Sequence, residues 1–157
     1  MENHHAIYLT KAIELASQNV KVQGGPFGAV IVKGDEMIAI GVNRVTANCD
    51  PTAHAEVMAI RSACQFLNTY DLEGCTLYTS CEPCPMCLGA IYWAHLDAVY
   101  YAANRVDAAE AHFDDAAIYK EVSIDPEERA LPFVHMPLEN AKEPFKLWES
   151  LSDKTPY

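Results

Sequence analysis

The stretch Pro51–Cys87 constrains this chain more than any other. It opens with Pro-Thr-Ala-His-Ala-Glu at 51–56 and closes with Glu-Pro-Cys-Pro-Met-Cys at 82–87. Chemically it offers one imidazole, a carboxylate two residues on, and two thiols three residues apart. Histidine nitrogen and cysteine sulfur are the usual zinc ligands. Cys84 and Cys87 stand at i and i+3, so they share a helix face. Prolines at 51 and 83 suit helix starts, where a missing N–H costs nothing. His54, Cys84 and Cys87 therefore fall in first helical turns. The partial positive charge there favours thiolate over thiol. Three protein ligands leave a fourth tetrahedral position for water, the arrangement of a catalytic site. One zinc ion per chain is expected.

The competing arrangement is a closed site in which Cys81 joins His54, Cys84 and Cys87. Cys81 precedes Pro83 at a strand end, out of the helical register of the other two. Glu56 also separates the readings, since a structural zinc has no need of a carboxylate there. Glu56 reads as a proton shuttle between water, a ring nitrogen and a leaving amine. A carboxylate placed only to favour a helix start is the simpler alternative. The Ala55 backbone N–H, unpaired in the first turn, is a candidate substrate contact.

The rest of the chain supplies a frame. Residues 4–20 read as a helix with a stripe of Leu9, Ile13, Ala16 and Val20. Phe27–Lys33 and Glu36–Asn43 read as strands joined at Gly34-Asp35, nearly continuous in apolar residues and so covered on both faces. A helix from Asp50-Pro51 carries a stripe of Ala53, Val57, Ile60, Cys64 and Leu67. Cys75–Ser80, Pro83–Ala94 and Ala98–Ala102 make a strand–helix–strand unit with parallel strands. Short helices follow over 106–121. Prolines 126, 132 and 137 keep 122–138 extended, with Phe133–Met136 a possible edge strand, and Phe145–Leu151 closes as a helix. The fold class is α/β, a three-layer α/β/α sandwich with a mixed sheet of about five strands. The 157 residues suit one domain, 1–157.

Composition narrows the partners. The chain has 11 Lys+Arg against 22 Asp+Glu, a net charge of −11. That disfavours nucleic acid, which is normally bound by clustered Lys and Arg. No apolar run approaches the ~20 residues of a membrane span. No basic-then-apolar leader opens the chain, so a cytoplasmic location is expected, where clustered cysteines bind metal rather than pair.

The chain resembles the cytidine-deaminase-like zinc deaminases, and within them the small bacterial guanine deaminases. The resemblance runs through Gly-Gly-Pro-Phe-Gly-Ala-Val-Ile-Val at 24–32, Asp-Pro-Thr-Ala-His-Ala-Glu at 50–56 and Tyr-Thr-Ser-Cys-Glu-Pro-Cys-Pro-Met-Cys-Leu-Gly-Ala-Ile-Tyr-Trp at 78–93. Its more specific part is Asp-Ala-Ala-Glu-Ala-His-Phe-Asp-Asp at 107–115, with the tail. The resemblance implies conversion of guanine and water to xanthine and ammonia, by zinc hydroxide attack on C2 with Glu56 moving the proton. It implies that Asn43 hydrogen-bonds the base and that Phe27 and Trp93 wall the pocket. It also implies that Asp115 faces the amino side as acceptor or second proton carrier, and that Tyr157 closes the pocket. Asn43 ending a strand and Asp114 or Asp115 capping a helix are the plainer alternatives. The partner implied is a small purine base. A homodimer is expected, with the C-terminal arm 139–157 exchanged between copies. Two other functions stay open: deamination of another base, such as tRNA adenosine or cytosine, and a zinc-stabilised module without chemistry.

Overall fold

A computed structural model describes residues 4–157. The sheet is built around β1 (Gly28–Lys33). It pairs antiparallel with β2 (Glu36–Val42) on one side and with β3 (Cys75–Cys81) on the other. β4 (Ala98–Ala103) then pairs parallel with β3, giving the order β2-β1-β3-β4. Side chains alternate across a strand, and β1 shows it cleanly. Val30 and Val32 pack with Ala12 and Leu15 of α1 (His4–Lys21). Ala29 and Ile31 pack with Ala55, Ala59 and Ala63 of α3 (Ala55–Leu67) and Ile91 of α4 (Pro85–Trp93). One helix thus covers one face and two helices cover the other, the expected three layers. Each large side chain buried there, such as Ile31 or Leu77, contributes about 1.5–3 kcal/mol.

Two glycines let the helices sit close. A Cβ at Gly28 would lie 2.4 Å from the Ala12 carbonyl oxygen, and one at Gly41 would lie 2.2 Å from that of Ala55. Any side chain at either position would push a helix off the sheet. The second contact sets the start of α3, and with it the height of His54 and Glu56 above the strands.

Several expectations are corrected. The sheet has four strands among the described residues, not about five. Phe133–Met136 forms no strand, and Pro132 and Pro137 on either side lack the N–H a ladder requires. α3 begins at Ala55, because Asp50-Pro51-Thr52 forms a turn held by Asp50 Oδ1, which accepts from Thr52 N–H at 2.8 Å. α1 buries Ala12, Leu15, Ala16 and Asn19, while Ile13 and Val20 stay half exposed. The small residues face the sheet because the helix lies so close at Gly28. Ile13 and Val20 instead line a cavity of about 400 Å³ beside Phe27 and Phe113. β2 is covered incompletely, leaving Met37 and Ile40 exposed at the sheet edge.

Beyond β4 the chain runs through α5 (Arg105–Glu110), α6 (Ala116–Val122), a 3₁₀ turn (Pro126–Glu128) and α7 (Glu143–Ser150). A short α2 (Val45–Asn48) fills the loop after β2.

Candidate metal centre

His54 and Cys84 each occupy the N-cap position of a helix, with extended backbones at φ −69°, ψ 156° and φ −69°, ψ 169°. Neither side chain caps its helix. Ser, Thr, Asp or Asn would normally do so and would add ~1 kcal/mol. Forgoing that bond leaves both side chains free to turn toward each other. Cys87, in the first turn of α4, completes the group. His54 Nδ1 lies 3.5 Å from the sulfur of Cys84 and 3.5 Å from that of Cys87. All three ligand atoms fall within 4.8 Å of one another.

These distances suit zinc. Tetrahedral zinc with Zn–S of ~2.3 Å and Zn–N of ~2.0–2.1 Å spaces its ligand atoms about 3.5–3.8 Å apart. Cys81 is not part of the group: its sulfur points at the Asn104 carbonyl, 3.7 Å away, from the last residue of β3. Burial pushes the Cys81 thiol up to about 11, so it stays protonated. Cys84 is pushed down to about 4, first by the hydrogen bond from Cys87 and then by His54. The Cys87 thiol is raised, first by the hydrogen bond it shares with Cys84 and then by burial. Metal binding requires both sulfurs as thiolates, so it displaces any proton they carry. The His54 imidazole is raised, chiefly by its hydrogen bond with Cys84.

Glu56 is 5% exposed, and burial raises its pKa. Its two oxygens do different things. Oε2 lies 3.4 Å from the Cys87 sulfur, while Oε1 lies 3.2 Å from the Thr79 hydroxyl. The carboxyl is therefore held against the metal group by a residue on β3. Ala55, the first residue of α3, brings its N–H to the same helix end.

Asn43 stands just past β2, beside the loop that carries His54, because Arg44 N–H donates to the Ala53 carbonyl. Asn43 Oδ1 accepts from Val45 N–H at 3.2 Å, so its amide N–H₂ is the end left for other use. Phe27 packs edge-on against Phe113 at 5.0 Å between centroids. Asp115 is the N-cap of α6 but makes no capping bond, whereas Asp114 Oδ1 accepts from Ala116 N–H. The local turn is held by Asp114, and the Asp115 carboxyl takes no part in capping it. Burial raises the Asp115 pKa, and the nearby Cys84 adds to it.

Trp93 and Tyr157 lie elsewhere. Trp93 ends α4, about 13 Å along the helix from Cys84. Tyr157 packs beside it, 6.0 Å between centroids, and beside Tyr70 at 6.5 Å. The structure does not bring this pair to the chain's own metal group.

Two residues escaped the sequence reading. Thr79, 1% exposed, is a buried hydroxyl in the middle of a central strand, and that was its signal. Tyr119 donates its hydroxyl to the Pro83 carbonyl at 2.7 Å. Its signal was a place four residues after Asp115, on the same helix face.

Comparison with known proteins places this geometry. Residues 2–103 match the family model of the cytidine and deoxycytidylate deaminase zinc-binding region. The chain is 55% identical over 155 residues to the guanine deaminase of Bacillus subtilis (strain 168), spanning 98% of this chain and 99% of that one. The crystal structure of guanine deaminase from Bacillus subtilis superposes with a TM-score of 0.95, covering 98% of each chain. The tRNA-specific adenosine deaminase of Aquifex aeolicus (strain VF5) is 43% identical over 96 residues, which are 61% of this chain and 64% of that one. A protein solved in complex with 2,6-diaminopurine is 35% identical, with a TM-score of 0.68 over 73% of this chain and 64% of that one.

Proposed function

The chain belongs to the guanine deaminases of the cytidine and deoxycytidylate deaminase family, which are zinc-dependent enzymes, and we propose that it hydrolyses guanine to xanthine and ammonia with Glu56 carrying the proton. The observation that supports this most is the placement of Glu56: buried, two residues after one ligand, with Oε2 3.4 Å from another. His54, Cys84 and Cys87 would hold the zinc, whose Lewis acidity makes a water nucleophilic near neutral pH.

Everything else falls to the chain's own side chains. Glu56 Oε2 takes a proton from the attacking water and gives it to the ring nitrogen next to C2. The carboxyl then takes the proton of the new C2 hydroxyl and gives it to the departing amine, so that the C2–N bond breaks and the C2 carbonyl of xanthine forms. Burial raises its pKa, which suits a group that must both accept and return protons. Thr79 holds Oε1 and so keeps Oε2 turned toward the metal. The Ala55 N–H and the Asn43 amide supply donors for ring acceptors. Asp115 supplies the pure acceptor that guanine's N–H groups need, and a second seat for the proton. Phe27 gives an apolar wall.

The substrate is the free base. A net charge of −11 repels a polyanion but not a neutral purine. The working form is a homodimer in which the arm of one copy lies across the other. The support is the arm's apolar surface: Phe145 is 70%, Leu147 66% and Leu151 48% exposed. A second copy is the natural cover for such a surface, and exchange of an identical element is a low-cost route to it. Trp93 and Tyr157, remote from their own metal group, then act as pocket walls toward that second copy. No helix among the described residues is long and apolar enough to cross a membrane. Six free cysteines fit a reducing cytoplasm.

The test is a panel of free bases and nucleosides with a preparation carrying one zinc per chain. Guanine should be consumed with equal xanthine and ammonia formed. An enzyme that releases ammonia from cytosine or adenosine but leaves guanine untouched would end this reading.

A further inference from the structure

Everything the family model matches lies at or before residue 103, yet the relationship to the Bacillus guanine deaminase runs through 98% of the chain. The segment after β4 therefore lies outside the matched zinc-binding region yet inside the full-length likeness to that guanine deaminase. That segment has almost no core of its own. Neither α5 nor α6 contains a buried residue. Its placement over the metal group rests on a few named bonds, and these converge on three successive residues, Cys81, Glu82 and Pro83.

The Cys81 thiol approaches the Asn104 carbonyl at 3.7 Å, and Arg105 N–H donates to Glu82 Oε2 at 3.0 Å. The Tyr119 hydroxyl donates to the Pro83 carbonyl at 2.7 Å, the shortest of the three. That carbonyl belongs to the peptide joining Pro83 to Cys84, so the bond lands on the backbone of a metal ligand. The Arg105 guanidinium lies over the Tyr119 ring, 4.9 Å from its centroid, and closes the clasp from outside. At the other end Tyr119 N–H donates to the Asp115 carbonyl at 3.1 Å, one helical turn back.

We infer that Tyr119 is a positioning residue: its hydroxyl fastens α6 to the Pro83–Cys84 peptide and thereby sets the Asp115 carboxyl against the reacting centre. The inference rests on the guanine deaminase reading for what Asp115 does, but not for the fastening itself. Two elements carry the groups that must meet: the α4 start holds the metal, and the α6 start holds Asp115. One hydroxyl is the shortest link between them. A displacement of about 1 Å between such groups is enough to cost ~100-fold in rate. The zinc ligands do not depend on the link, because α3 and α4 are placed by the core.

Tyr119→Phe isolates the hydroxyl, keeping the ring and its contact with Arg105. The zinc-loaded Y119F enzyme should keep one zinc per chain. Hydrogen exchange at the amides of 113–122 should rise about two- to tenfold, the scale of one lost hydrogen bond, while α3 is unchanged. Exchange is read without substrate, so it reports on the fastening whatever the substrate proves to be. In turnover, kcat on guanine should fall roughly tenfold with KM moving less. In the Asp115→Asn background the same change should add almost nothing, since both changes remove one function. Independent, multiplying losses in the double variant would overturn the positioning role. Unchanged exchange over 113–122 would overturn the fastening. A wild-type enzyme inactive on guanine but showing the exchange effect would sink the substrate reading and leave the clasp standing.

Discussion

In β1 five successive residues are buried, from Gly28 to Val32, whereas from residue 104 to residue 157 not one is. The two regions are held in place by different means. Up to β4, helices press on a sheet at Gly28 and Gly41 so closely that no side chain fits between. The metal group inherits that precision, because His54 and Cys84 are N-caps of helices fixed by the core. Beyond β4, position comes from single hydrogen bonds such as Tyr119 to Pro83, and from whatever the exposed arm covers. The chemistry shared with other deaminases sits on the rigid part. In the proposed function Asp115, on the lightly tethered part, joins the substrate contacts, and loops of that kind are where substrate preference changes most readily without loss of the fold.

The largest effects should come from breaking the rigid part at the metal. His54→Ala or Cys84→Ser should lose zinc and activity together, read by metal analysis and ammonia release. Cys81→Ser should keep both, because its sulfur faces Asn104. Zinc loss from C81S comparable to that from C84S would mean a closed four-ligand site. Next in size is Glu56→Gln, which should hold zinc normally and turn over at least ~100-fold more slowly. Near wild-type turnover would remove Glu56 from proton transfer.

Changes in the lightly held part should cost less and spare the metal. Deleting residues 153–157 should change kcat/KM by a few-fold to tenfold, leave zinc at one per chain, and leave the melting temperature nearly unmoved. Unchanged kcat/KM would deny the tail a place at the pocket, and a monomer in solution would deny the exchange of arms. The smallest effect concerns the turn that leads into His54. Asp50 is held below the usual carboxylate range, first by the Thr52 hydroxyl and then by the Thr52 N–H. A carboxylate depressed on folding stabilises above its unfolded pKa, and that contribution is lost as pH falls through the folded value. Asp50→Ala should thus melt slightly below wild type at about pH 7, with the gap closing as the pH falls below the usual carboxylate range. A gap that widens in acid would show that Asp50 acts otherwise.

The same division explains what could be read from the chain alone. The ligands and Glu56 were legible because their chemistry is local: a few residue types at fixed spacing beside helix-starting prolines. The strands of the core were legible from their apolar runs. The helix faces were read one residue off, on α1 at Ile13 and Val20 and on α3 at Val57. Bulk suggested burial there, while the close approach at Gly28 and Gly41 selected alanines instead. Thr79 and Tyr119 were missed because each acts through a contact distant in sequence, Thr79 with Glu56 and Tyr119 with Pro83. A proline-flanked apolar segment at 133–136 looked like a strand, yet pairing needs donors that Pro132 and Pro137 cannot give. Trp93 and Tyr157, each expected at the pocket, instead pack on one another away from their own chain's metal group.

The most direct test of the division is a ratio: kcat/KM on free guanine against kcat/KM on an adenosine-bearing tRNA anticodon stem, measured on one zinc-loaded preparation. The account predicts xanthine formation at a ratio well above ~10³, since the first 103 residues would serve either substrate and the remainder admits only the small neutral base. Inosine formed in the tRNA faster than xanthine from guanine would contradict it.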